Sequence, residues 1–261
     1  SSRWRNPDNG YVLWDEVVKH NSGQTANWRY GSTSMGVDAS TGQYIVNDES
    51  FSSRSQYPRR NGWIQRNSVN SHNWFGAIAN LKTELAENLT LDVGFDSRFY
   101  KGLHYRNVRD LLGSDGYRDS RYNGAPNTSG VVAATKEYQW PIGDVWNVFG
   151  DTDAEEKIDR NNNGVIDYFG LYFQLEYLMD DISIFVQGSG SNKGYQREEF
   201  YLYANGDPLQ YSEKTNIAGG TIKAGANWNI DAQNNLFANA GYFSKQPNLN
   251  TVFQNYDQIA T

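Results

Sequence analysis

The residues with the most specific chemistry lie at 159–167, Asp-Arg-Asn-Asn-Asn-Gly-Val-Ile-Asp. Asp159, Asn161 and Asn163 place side-chain oxygens at alternate positions, Gly164 permits a sharp turn, and Val165 offers a carbonyl. This is the opening of a calcium loop, in which oxygens wrap a hard cation. The bidentate glutamate of the twelfth position is missing, because Gly170 stands there. Asp167 closes the segment, and Asp151, Asp153, Glu155 or Glu156 would supply replacement carboxylates. The expectation is Ca2+ held by Asp151, Asp153, Asp159, Asn161, Asn163, Val165 and Asp167. The same residues also fit a turn-rich acidic loop that feeds a strand and holds no ion.

Other reaction centres find little support. His20, His72 and His104 are isolated, with no zinc-like spacing. No Gly-x-Ser-x-Gly elbow marks a serine hydrolase. Gly188-Ser189-Gly190 with Gly194 partly matches a nucleotide loop, but it leads into Lys193-Gly194-Tyr195 and no clear helix. Carboxylates are abundant, yet nothing singles out a glycosidase pair. No enzyme is expected; binding without covalent chemistry is.

For binding, Trp4, Trp14, Trp28, Trp63, Trp140 and Trp146 fall in polar, turn-rich stretches. Flat aromatics stack on sugar rings and anchor interfaces. Trp63, Asp96, Arg98, Tyr100, Trp140 and Trp146 are the candidate substrate contacts. The tryptophans equally fit small cores inside large loops. Asp92, Asp96, Arg98 and Glu176 equally fit a wet interior that needs solvated charge.

These groups are positioned by alternating runs. In 74–86, Phe75, Ala77, Ala79, Leu81, Thr83 and Leu85 share one face, while Gly76, Asn80, Lys82 and Glu84 share the other. In 89–99, Leu89, Leu91, Val93, Phe95 and Phe99 oppose Thr90, Asp92, Asp96 and Arg98. A period of two is the strand period. Each run has the roughly 10 residues with which a tilted strand crosses a bilayer, and Ala86-Glu87-Asn88 is a hairpin-length break. Residues 169–191 and 218–243 repeat the pattern, turning at Asp180-Asp181 and at 231–235. Trp74, Phe99, Tyr177, Trp228 and Tyr242 near strand ends would form interfacial girdles.

Between the hairpins lie long polar stretches, 1–73, 100–167, 192–217 and 244–261, read as extracellular loops. A short helix is expected over Tyr11–His20 and another over Arg106–Leu112, capped by Gly113. Short turns on one side and long loops on the other are the habit of outer-membrane barrels. The reading is all-β: a segment of a large antiparallel transmembrane β-barrel, apolar face to lipid and polar face to the lumen. Six strands cannot enclose an open lumen, so the 261 residues are expected to belong to a larger chain.

Composition agrees. A mean hydropathy of −0.74 and the lack of any eighteen-residue apolar run exclude a transmembrane helix and leave a barrel open. A net charge of −7 argues against nucleic acid. The absence of cysteine removes disulfides, thiolate metal sites and cysteine nucleophiles together. No signal peptide opens the sequence, so an exported protein would be present here as a mature or truncated piece.

Residues 91–119, LDVGFDSRFYKGLHYRNVRDLLGSDGYRD, and 235–256, NLFANAGYFSKQPNLNTVFQNY, resemble the barrel of TonB-dependent outer-membrane receptors. The likeness is to the branch with an N-terminal carboxypeptidase-regulatory-like domain. It rests on a strand followed by Tyr-Lys-Gly-Leu-His-Tyr-Arg and on a strand running into Phe-Ser-Lys-Gln-Pro. The resemblance implies a barrel of about 22 strands closed by a plug. It implies residence in the bacterial outer membrane and active import of a scarce nutrient: an oligosaccharide, a peptide or a metal chelate. It also implies a TonB partner that acts through a plug outside these residues; whether a surface lipoprotein lid covers the loops stays open. Two other classes stay open: a non-transporting surface scaffold or adhesin with calcium-stiffened loops, and a soluble glycan-binding or glycan-cleaving β-protein.

Overall fold

The computed structural model describes residues 4–29, 31–47, 62–119, 132–139, 155–203 and 206–254. Helix α1 spans Trp14–Asn21 and is followed by β1 (Ala26–Trp28), β2 (Gly31–Thr33) and β3 (Ile45–Asn47). The long strands begin with β4 (Gln65–Ala86) and β5 (Leu89–Asp110); the short β6 (Gly116–Arg118) and β7 (Val132–Ala134) follow. Then come β8 (Asn161–Leu178), β9 (Ile182–Glu199), β10 (Thr215–Asn229), β11 (Asn235–Ser244) and helix α2 (Leu249–Val252). The described chain is mostly antiparallel β, and none of its helices is long and apolar enough to cross a membrane.

Six strands form one sheet in the order β11-β10-β9-β8-β5-β4. The sheet is open: β4 and β11 are its two edges and do not pair with each other, so no closed barrel is formed. The three hairpins fall where alternation placed them. The β8–β9 turn is tight, with Met179 and Ile182 exchanging backbone bonds of 2.7 and 3.1 Å around Asp180-Asp181. In the β10–β11 turn the Asp231 carboxylate accepts the Gln233 and Asn234 amides, both at 2.8 Å. The Asn234 side chain donates to it as well, and these bonds hold its pKa below the ordinary carboxylate value.

Strand ends differ from expectation. The helix expected over Arg106–Leu112 is instead the continuation of β5 to Asp110. Its backbone is claimed across the sheet: Arg106 N–H donates to Arg160 O at 3.1 Å, Ile158 N–H to Arg106 O at 2.8 Å, and Tyr138 N–H to Val108 O at 2.8 Å. Gly113 does adopt a left-handed φ of +85°, but it closes a turn after a strand. β4 likewise starts at Gln65, β8 at Asn161 and β10 at Thr215, so strand replaces part of each polar stretch read as loop.

The chain divides into two compact units. The first comprises the described residues of Ser1–Ser71, Leu103–Asn162 and Glu199–Gln210. Here β3 pairs in parallel with β6, and β6 pairs antiparallel with β7. Val46, Val108, Leu111, Tyr117 and Ile158 pack into one buried cluster, and Trp4, Val17, Ala26 and Leu112 into another. Helix α1 starts three residues later than expected and buries Val17, His20 and Asn21, while Trp14 and Val18 stay exposed. Acidic Asp15 and Glu16 in its first turn and Lys19 and His20 in its last suit the helix dipole.

The second unit comprises the described residues of His72–Gly102, Asn163–Glu198 and Tyr211–Thr261. Register aligns its apolar residues across strands. Ile222 pairs with Gly188 on one side and Tyr242 on the other; Ala224 with Val186 and Ala240; Ala226 with Ile184 and Ala238; Trp228 with Ile182 and Leu236. Directly paired residues point to the same face, so these rows form one apolar surface. Phe75 stacks on Phe99 at 5.1 Å and Phe95 on Phe169 at 6.5 Å, ring to ring across strands. Gly188 makes room for a neighbour in its row: a Cβ there would lie 2.6 Å from the Phe173 ring. This surface has no covering layer among the described residues. Phe75 is 69% exposed, Leu171 56%, Ile222 48% and Leu236 61%. Among the described residues, the buried cluster of this unit packs Tyr195 of β9 against Val252 and Phe253 of the segment that follows β11.

Candidate ligand groove

The polar face of the second unit carries a groove of about 690 Å³. Alternation in β5 puts Asp96, Arg98 and Tyr100 on this face, and β8 adds Ile166 and Tyr168. β9 adds Ser189, Ser191 and Lys193, and β10 adds Gly220 and Thr221. Trp74 stands at one side, and Phe243 to Gln246 at the other.

Short-range bonds fix several of these groups. Arg98 donates to both Asp96 oxygens, at 2.8 and 2.5 Å, a fork two residues apart on one strand. Its guanidinium also lies 5.8 Å from the centre of the Tyr168 ring. Tyr100 bonds His72 through its hydroxyl at 2.7 Å. Ser189 and Thr221, directly paired in register, share a hydroxyl bond of 2.8 Å. Gln246 donates to the Ser191 hydroxyl at 2.8 Å and lies against Gly219, where any Cβ would meet its amide at 2.6 Å. The segment after β11 is thereby seated on the sheet. Tyr195 reinforces this, donating its hydroxyl to the Pro247 carbonyl at 2.5 Å, while Asn248 caps α2 by accepting the Thr251 amide at 3.0 Å.

Two lysines stand out. Lys193 is half-buried, with its ammonium 5.1 Å from the centre of the Tyr195 ring. Burial holds its pKa below the ordinary value, and the charge of nearby Lys245 adds to the effect. Burial pushes the Tyr195 phenol the other way, upward.

Of the expected substrate contacts, the structure brings together Asp96, Arg98 and Tyr100. Trp63 lies elsewhere, half-buried against the Trp4–Val17 cluster of the first unit and edge-on to Trp14 at 6.5 Å. It is loop core. Trp140 and Trp146 lie outside the described residues. Trp74, expected in a girdle, lines the polar face instead. Lys193, Thr221, Lys245 and Gln246 were not singled out by sequence. Their alternation parity was the available signal, but only the register between strands brings them to one place.

Four of the expected calcium ligands are spread along one strand. Asn161, Asn163, Val165 and Asp167 lie on β8. Alternate residues on a strand are roughly 6.6 Å apart, so Asn161 and Asp167 are roughly 20 Å apart and cannot wrap one ion. Their side chains have other partners. Asp159, at φ +59°, pairs with Arg66 and with Arg106 at 3.6 Å and accepts the Tyr117 hydroxyl at 3.2 Å. Asn163 donates to Glu198 at 2.7 Å, and Asp167 pairs with Lys214. Guanidinium and ammonium groups thus occupy the places a cation would take. Asp151 and Asp153 lie outside the described residues. Among the described residues no group of three or more carboxylates and histidines could hold a metal ion.

No family model, no curated protein and no solved structure matches the chain.

Proposed function

We propose that this chain is a stretch of the wall of an outer-membrane β-barrel that imports a nutrient, with the apolar face to lipid and the groove face to the lumen. The observation that carries this reading is the register-aligned apolar face with nothing over it. Fully burying a large apolar side chain is worth roughly 2 kcal/mol, so one left half-exposed to water forgoes roughly 1 kcal/mol. More than ten such side chains forgo roughly 10 kcal/mol, which is the whole net stability of an ordinary domain. Hydrocarbon removes that cost. Dimensions agree: the ten residues of β11 rise roughly 33 Å and, at a 45° tilt, span roughly 23 Å, close to an apolar band of about 25 Å. Phe99, Tyr177, Trp228 and Tyr242 fit the aromatic girdles.

In a wall of this type the edges β4 and β11 pair with further strands, which removes two rows of open backbone groups. Energy for import comes from a TonB partner acting through a plug, and ligand selection falls to the groove face. The chain does no covalent chemistry in this reading. The test is detergent dependence. The protein is expected to stay monodisperse in detergent micelles and to precipitate on their removal; a stable monomer in plain buffer contradicts the reading. Growth on candidate nutrients with and without the TonB-engaging segment separates import from a scaffold role.

A further inference from the structure

We infer that the groove selects a negatively charged sugar, one whose rings carry carboxylate or sulfate groups. The inference rests on reading the groove face as the ligand-facing side of the wall. It starts from a charge contrast. The chain carries −7 overall, yet the groove gathers Arg98, Lys193 and Lys245 around a single carboxylate, Asp96. Asp96 is already matched by the two-pronged bond from Arg98. Lys193 and Lys245 have no carboxylate partner among the described residues, and they repel each other.

With Lys193 half-buried, burial and the charge of Lys245 disfavour the charged state of Lys193. An anion placed between them relieves that repulsion and gains charge-assisted hydrogen bonds. A neutral ligand would leave the strain in place. The rest of the lining asks for a ring. Trp74 is 66% exposed at the groove wall, and an exposed indole is a surface on which a sugar ring stacks. Ser189 and Thr221 offer hydroxyls of the kind that hydrogen-bond sugar hydroxyls. An acidic peptide would satisfy the lysines but leave Trp74 without a ring.

The test is calorimetry on the detergent-solubilised protein with four probes: trigalacturonate, a sulfated chondroitin disaccharide, neutral galactotriose and triglutamate. At least one of the two charged sugars is expected to bind about tenfold tighter than galactotriose, the factor one charge-assisted bond supplies; which one identifies the anion. The advantage should shrink as salt rises past the point where the screening length is about 8 Å. Lys193→Gln with Lys245→Gln should bring the charged sugar down to the galactotriose level. Trp74→Ala should weaken charged and neutral sugars alike. Equal binding of charged and neutral sugars, or an unchanged preference in the double variant, overturns the inference. So does triglutamate binding as tightly as trigalacturonate. Absence of binding by all four probes overturns it too, while the wall reading is judged separately by detergent dependence.

Discussion

The two units place most of their large apolar side chains differently. In the first, Val17, Val108 and Ile158 are fully enclosed and the polar side chains face out or bond in networks, as in any water-soluble domain. In the second, the aligned rows of Ile, Leu, Phe and Trp lie on the surface, and the groove face holds serines, a threonine, charges and tyrosines. Both are built from β-strands, so secondary structure does not separate them. What separates them is where the large apolar side chains lie. The proposed wall reading assigns the exposed apolar face to hydrocarbon and the first unit to water.

Substitutions sharpen the contrast, starting with the largest. Val108→Asp places an unpaired charge in the first unit's core and should cost on the order of 4 kcal/mol or more, unfolding that unit; chemical denaturation followed by near-ultraviolet dichroism reads it. Ile222→Arg should cost about 2–4 kcal/mol when the protein is refolded into bilayers, as a cation near the midplane does. Were Ile222 facing water, the same change would stay within about 0.5 kcal/mol. Urea titration in vesicles distinguishes the two.

A smaller effect concerns pH and belongs to the first unit alone. His20 is enclosed beside the Trp4 ring, and burial pushes its pKa below the ordinary 6.5, opposed more weakly by the Thr33 backbone. The unfolded chain then binds the proton more readily than the fold does. Stability is therefore full above about pH 6.5 and falls as pH drops from there towards the lowered value. Hydrogen exchange of the α1 amides should quicken over that window, and His20→Gln should flatten the slope. The smallest effect is Gly188→Ala. In a packed interior, crowding the Phe173 ring would cost about 1–3 kcal/mol. Against fluid hydrocarbon the ring can swing outward, so a loss under about 1 kcal/mol is expected.

The hairpins could be read in the sequence because their signal is local. Ile222, Ala224, Ala226 and Trp228 announce a strand and its face by period alone. The run Arg106–Leu112 was ambiguous, because Val108, Leu111 and Leu112 fit a helical stripe as well as a strand. The competitor that won, backbone bonding to Arg160 and Ile158, is about fifty residues away in sequence. The ion pairs of the calcium motif were hidden for the same reason. Oxygen spacing at 159–167 says nothing of Arg66, which reaches Asp159 from β4. Asp96 and Arg98 were legible as a polar face, whereas Lys193 and Lys245 join them only through the register of β9 with β10 and the fold-back after β11.

The most direct measurement asks what each side of β10 touches. The chain has no native cysteine, so single cysteines at 221 to 227 can each carry a nitroxide label in the bilayer-reconstituted protein. Collision with oxygen, which concentrates in hydrocarbon, should be strong at 222, 224 and 226. Collision with a water-soluble nickel chelate should be strong at 221, 223 and 227. Alternation with a period of two, oxygen high where nickel is low, is the result the wall reading predicts. Labels at 222, 224 and 226 that meet the nickel chelate as freely as their neighbours, or that are shielded from both reagents, would contradict it.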